Sequence, residues 1–511
     1  MSTAYTVLKY SIEKLIHTLA EKSRAPEHAI KDKRHLDYFK EYFDAVGAKT
    51  IIVENEYVDK DYLEDFASYY VSCFQRYERN CARLHFFDIE FDESAFEGIM
   101  CGSQSGLQQQ NLQNAYLGFI VIKPLPLTII GRTCLKPYAE EGRRHFPITR
   151  LYRSHLFGIS LTVTSLAFQE QDTVAAACAT SALWSAFQGT GLQFQHHIPS
   201  PVSITRAATV HVPHQNRTFP ESNGLSISQM SDAIRSVGLE PFLVSAANQN
   251  VMKSSIYAYL RGRIPVILIM ELIDPKNPKD PVGCHAVTVS GYDLGISGVA
   301  PFQTEGTRLR ALRMDKIYAH DDQIGPFARM KFLKDAFLST SWLTDKGDSL
   351  DARASLMLVP LYHKIRIPLQ TILESVFPFD NVLELCRSNG WDGLSERLEW
   401  DIYLTDNSTL KKELRDSGVL PQQYKARLLT CPMPRFLWRA TAMANDTLIL
   451  DLIFDATDIE QGCFLVCAID YDRKFASSLR DLSKTLLDSK QLPKVTSRLF
   501  EWYVKSEHFE D

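Results

Sequence analysis

Near the N-terminus, Leu8, Ile12, Leu15, Ile16 and Leu19 recur at the three-to-four residue interval of a helical stripe, and an amphipathic helix is predicted there. After it the spacing shortens. "KTIIVEN" and "ARLHFFDIEF" carry the β-branched and aromatic runs of short strands. Between them a helix capped near Asp59 carries Tyr62, Phe66, Tyr69, Tyr70 and Phe74 on one side, and this aromatic face is expected in the core. "AYLGFIVIKPLP" and "TIIGRTCLKPY" read as neighbouring strands separated by prolines, with "ITRLYRS" and "ISLTVTSL" as two more. "CGSQSGLQQQNLQ", rich in Gly, Ser and Gln, reads as loop.

From residue 168 the order changes. A helix is predicted over residues 173–188, followed by the irregular stretch "HHIPSPVSITRAATVHVPHQNRTFPESNG". "SISQMSDAIRSVGL" reads as a helix capped by Ser226 or Ser228 and closed by Gly238. A further helix, "SSIYAYLRGR", precedes the strand-like runs "IPVILIMEL", "HAVTVSGYD" and "KIYAHDD". Later runs such as "LEWDIYLTD", "FLWRATAMAN" and "TLILDLIFDAT" are strand-like, "NDT" is a hairpin turn, and helices are predicted near 369–376 and 474–487. The fold class read from these patterns is α+β in three packed parts, 1–167, 168–345 and 346–511. In the central part a helix precedes an antiparallel sheet.

Composition narrows the class without naming a chemistry. A chain of 511 residues is too long for one ordinary core, and 45% hydrophobic with 23% charged residues is the balance of a soluble globular protein. Fifty-six basic and 61 acidic residues leave a net charge of -5 with no long block of one sign, which argues against a nucleic-acid partner bound through a basic stripe. The ten cysteines form no CxxC pair, the pattern of reduced intracellular thiols. The N-terminus lacks the apolar core of a signal peptide and no apolar run approaches a membrane span. A cytoplasmic protein without membrane contact is the expectation.

One thiol stands apart. Cys178, in "AACATSALW", falls in the first turns of a predicted helix, where the helix dipole and a neighbouring imidazole favour the thiolate. "GCHAVTVSGYD" supplies His285 at the start of an alternating strand, and "KIYAHDDQIGPF" supplies Asp321 at the end of the next. A nucleophile, a base and a group that orients the base are the three parts of a nucleophilic triad. Asp321 is preferred to Asp322 by its position in the turn. Other features take plainer readings: Cys284 should point to the opposite strand face from His285 and pack, "GTG" at 189–191 ends a helix, "KDKRH" at 31–35 is a solvated surface, and His196 with His197 lacks a third ligand for a metal.

This order, cysteine on a helix, histidine opening a strand and an acid closing the next, resembles the papain-like cysteine peptidases. It is most similar to their bacterial branch that cleaves double-glycine leaders. "CHAVTVSGYD" matches the histidine strand of that branch, and "DDQIG" matches its "DPxxG"-like turn with Asp322 in place of proline. The flanks, through "YLGFIVIKPLPLTIIGRT" and "VPLYHKIRIP", resemble uncharacterised bacterial proteins. The resemblance covers roughly residues 168–330. It implies a cysteine peptidase acting on a protein or peptide substrate with Cys178, His285 and Asp321, no metal or organic cofactor, and a glutamine amide in the oxyanion hole. The branch places that glutamine six residues before the cysteine, where this chain has Asp172; Gln171 is the first choice for the role and Gln169 the second. An amine acceptor instead of water, or an inactive scaffold that binds a regulatory partner, stay open.

Overall fold

The computed structural model describes residues 3–103, 106–172, 177–209, 224–295, 306–340, 350–459, 464–490 and 492–506. It is a mixed α and β protein in two compact units. One unit comprises Met1–Asn248, Arg263–Asp293 and Lys316–Pro360; the other comprises Gln249–Gly262, Leu294–Asp315 and Leu361–Asp511. The central third of the chain therefore contributes to both. Among the described residues no helix is long and apolar enough to cross a membrane.

The first unit opens on an antiparallel meander of five strands in chain order, Tyr5–Lys9, Thr50–Tyr57, Cys81–Phe87, Tyr116–Ile122 and Ile130–Leu135. Strands Cys81–Phe87 and Tyr116–Ile122 are buried along their whole length, as "YLGFIVI" requires. Helix Arg34–Val46 lies on this sheet, with Phe43 stacked on Phe86 at 4.1 Å between ring centres. Each such ring removed from water stabilises the packing by about 1.5–3 kcal/mol. A second sheet follows. Val266–Ile273 pairs with both Gly283–Asp293 and Asp351–Tyr362, and Lys316–Asp321, Gly325–Phe332 and Phe337–Ser339 complete the ring into a closed antiparallel barrel. Closure leaves these strands no free edge.

Helix Cys178–Phe194 joins the two sheets in sequence. Every residue from Ala179 to Thr190 is buried, which small side chains permit and an amphipathic stripe would not. Thr288 donates its hydroxyl to the Ala182 carbonyl at 2.5 Å, tying this helix to strand Gly283–Asp293. The second unit is built on the antiparallel strands Glu399–Asp406, Phe436–Ala444, Thr447–Asp455 and Leu465–Asp470, with Arg308–Leu309 parallel at one edge. Its helices include Gln249–Arg261, Leu369–Ser388 and Arg473–Ser489.

Several local expectations need correction. Leu8 lies on a strand, and the N-terminal helix runs from Ile12 to Ser23. The Gly/Gln-rich loop contains helix Gln109–Ala115, and the irregular stretch contains helix Pro201–Ala207, with proline at its permissive first turn. The helix capped by Asp59 ends at Ser68; Tyr62 and Tyr70 are buried, whereas Phe74 is fully exposed. "GTG" lies within helix Cys178–Phe194, where a side chain at Gly189 would strike Ile148 at 2.8 Å. The predicted start of that helix at 173 and residues 210–223 of the irregular stretch lie outside the described residues.

Candidate active site

Cys178 is the first residue of its helix, behind Ala177, which has no side chain able to cap the helix. The opening N–H groups of a helix have no acceptor within it, so the backbone here presents donors beside the thiol. The thiol and His285 line the same cavity, and interaction with Cys178 is one of the causes that raise the imidazole. His285 is the third residue of strand Gly283–Asp293, opposite Met270, and its Nε2 donates to Asp321 Oδ1 at 3.0 Å. With Nε2 committed to the acid, Nδ1 is the ring nitrogen left for the thiol. Burial works against protonated His285, yet the charge of Asp321, the hydrogen bond with it and the interaction with Cys178 raise it well above the ordinary histidine range.

Asp321 ends strand Lys316–Asp321 and is fully buried. Its Oδ1 also accepts from the Gln323 N–H at 3.0 Å, so one carboxylate both shapes the turn and orients the imidazole. The turn packs tightly against helix Arg34–Val46. A side chain at Gly325 would meet the Tyr38 ring at 2.5 Å, Tyr38 donates its hydroxyl to the Pro326 carbonyl, and His35 Nε2 donates to the Asp322 carbonyl at 2.9 Å. His35 is buried, against the expectation of a solvated "KDKRH" surface. The signal for it was present in the apolar recurrence at Leu36, Phe39 and Phe43, which makes His35 an inward-facing neighbour on that helix.

Segment 166–172 is fastened residue by alternate residue. Phe168 bridges Thr133, the Glu170 N–H donates to the Ile130 carbonyl at 3.1 Å, and Asp172 accepts the Tyr70 hydroxyl at 2.7 Å. Glu170 further pairs with Lys33. Gln171, between two of these anchors, lines a cavity of about 690 Å³ together with Asp172, Cys178 and His285. Gln169 is buried, with its amide nitrogen unpartnered, and is not part of that lining. Leu225, Ile227, Met230 and Ile269 supply the apolar wall.

Cys284 corrects the sequence reading. It is exposed and lines the same cavity, because at the open start of the strand the alternate face is not covered by another layer. Partial burial and the charges of Glu271 and Cys178 push its thiol up. The adjacent histidine, His320, takes a structural role: its Nε2 donates to the Leu166 carbonyl at 2.9 Å and its Nδ1 accepts the Phe327 N–H at 3.3 Å. Burial holds it down to about 4.

His285, Asp321 and Asp322 present three ligand-type atoms within 4.8 Å of one another, all buried. The 3.0 Å contact between His285 and Asp321 has the length of a hydrogen bond. The set is that of an oriented imidazole facing a thiol. Compared with models of protein families and with curated proteins, the chain matches none.

Proposed function

We propose that the chain is a thiol-dependent acyl-transfer enzyme with a papain-like arrangement around Cys178, most simply a hydrolase of peptide or isopeptide bonds in protein substrates. The observation that carries this reading is His285, hydrogen-bonded to the buried Asp321 at 3.0 Å and lining one cavity with Cys178 at the start of its helix. Cys178 Sγ attacks the substrate carbonyl carbon, and the thiol proton resides on His285. Collapse of the tetrahedral adduct breaks the C–N bond as His285 returns that proton to the leaving amine. Water then attacks the thioester, losing a proton to His285, and the acid departs as the thiol re-forms. The Cys178 N–H and the Gln171 amide are the donors assigned to the oxyanion.

Site-resolved alkylation by iodoacetamide between pH 5 and 9 tests the reading before any substrate is known. Cys178 is expected to react roughly tenfold to a hundredfold faster than exposed Cys101 and Cys284 at pH 6. The His285→Ala variant should erase that advantage. Labelling of Cys178 at the pace of an ordinary thiol would favour a scaffold that binds a protein partner, and a Cys178→Ala variant that retains the biological effect would establish it.

A further inference from the structure

The turn that supplies Asp321 supplies a second acid. Asp322 is buried beside it, and its Oδ1 lies 3.8 Å from His285 Nε2 without a hydrogen-bond partner. Its other oxygen accepts from the Gln323 amide at 3.3 Å. We propose that Asp322 is a positioning residue of the Cys178 site, a second carboxyl that holds the His285 imidazolium beside the thiolate by charge while Asp321 holds it by hydrogen bond. The inference rests on the acyl-transfer reading and concerns the regulation of that same site.

The surroundings leave Asp322 able to change charge near neutrality. Burial pushes it up to about 7, with the charge of Asp321 adding to the rise and that of His285 opposing it. Among the described residues His35, on helix Arg34–Val46, is a further ionisable neighbour; burial lowers its affinity for a second proton as it donates to the Asp322 carbonyl. Beyond His35, Lys33 and Glu170 pair with each other and largely cancel. In mildly acidic solution His285 therefore faces one carboxylate; above neutrality it faces two, and its proton is held to higher pH. Proline stands at this position in the pattern that the turn resembles, so the second carboxyl is a feature of this chain.

Two alkylating reagents read the effect without a substrate. Iodoacetate and iodoacetamide both require the thiolate, but only the anionic reagent is drawn to an imidazolium, so their rate ratio at Cys178 reports the charge beside it. In the unmodified protein the ratio is expected to step down near pH 7 as Asp322 ionises and to fall again at alkaline pH as His285 loses its proton. Asp322→Asn should remove the first step and bring the alkaline fall about one pH unit lower, whereas Asp322→Glu should retain both. A purely structural role would change the rate and leave these positions unmoved. A folded Asn variant whose alkaline fall lies within about 0.2 unit of the unmodified protein overturns the proposal. If the Asn variant does not fold, the absence of a step near pH 7 in the unmodified protein overturns it equally. Should Cys178 show no advantage over the other cysteines, the acyl-transfer reading fails and takes this inference with it; a fast Cys178 with an unaltered profile removes this inference alone.

Discussion

Two buried polar clusters, one in each unit, put buried carboxylates to different ends. In the second unit Arg439 donates from Nε to Asp451 at 2.9 Å and from Nη1 to Tyr403 at 3.1 Å, pairs with Glu413, and reaches Tyr471 from Nη2 at 3.4 Å. Every nitrogen of the guanidinium has an acceptor. In the first unit Asp321 Oδ2 and Asp322 Oδ1 are buried without a hydrogen-bond partner, and the histidine they face also lines a cavity with a thiol. A guanidinium whose donors are all used stays charged and fixes one arrangement of strands, even though Asp451 Oδ1 beside it is buried without a hydrogen-bond partner. A cluster with spare acceptors next to an opening has capacity for a proton that moves. The contrast separates charges that hold a fold from charges that can serve chemistry.

The largest expected effect lies on the arginine side. Arg439→Met leaves Asp451 buried and unpaired and should cost about 3–5 kcal/mol of stability, read as a shift in the urea midpoint, with the alkylation rate of Cys178 in the folded variant unchanged. A loss below about 1 kcal/mol would show that the network holds little, and the comparison would break.

Next are the two buried histidines of the barrel, which should give stability opposite slopes with pH. His320 titrates near 6.5 in an unfolded chain and at about 4 when folded. Above pH 6.5 neither state carries the proton. As the pH falls from 6.5 towards 4, the unfolded chain takes up a proton that the fold refuses, and about 3 kcal/mol is lost. His285 is raised on folding, so its contribution is complete below about 6.5 and disappears as the pH climbs through the higher folded value. Urea midpoints from pH 4 to 9 check both: His320→Gln should flatten the acid slope and His285→Gln the alkaline one. Matching slopes in the two variants would contradict the assignment.

The smallest effect concerns the second thiol of the cavity. Cys284→Ser should leave the Cys178 rate within about twofold, because Cys284 has no imidazole to assist it. A loss as large as that caused by His285→Ala would make Cys284 part of the reacting site.

Much of this was legible along the chain. Cys178 heads a run of small residues that only a fully buried helix accommodates, His285 opens a strand whose alternation is plain, and Asp321 closes another before a Gly-Pro turn. Of the two caps the sequence left open, Ser226 is the one used, and Gln229 reciprocates it. The failures share a cause. Helices Gln109–Ala115 and Pro201–Ala207 are short and polar or proline-headed, so packing outweighed propensity there. Phe74 has the composition of a core residue but lies beyond the end of its helix.

By itself the sequence determined what depends on near neighbours: the periods of strands and helices, the caps, the place of the thiol at a helix start and the turn that Asp321 shapes. Only the tertiary structure decided what depends on approach from afar. It set His35 and Tyr38 against the turn some 287 residues away in the chain, put Cys284 at a cavity wall instead of in a core, and left Asp322 buried 3.8 Å from an imidazole. Hydrophobic period and turn chemistry are local properties of a few residues, whereas the burial of a charge and the identity of its partners are properties of every segment that closes around it.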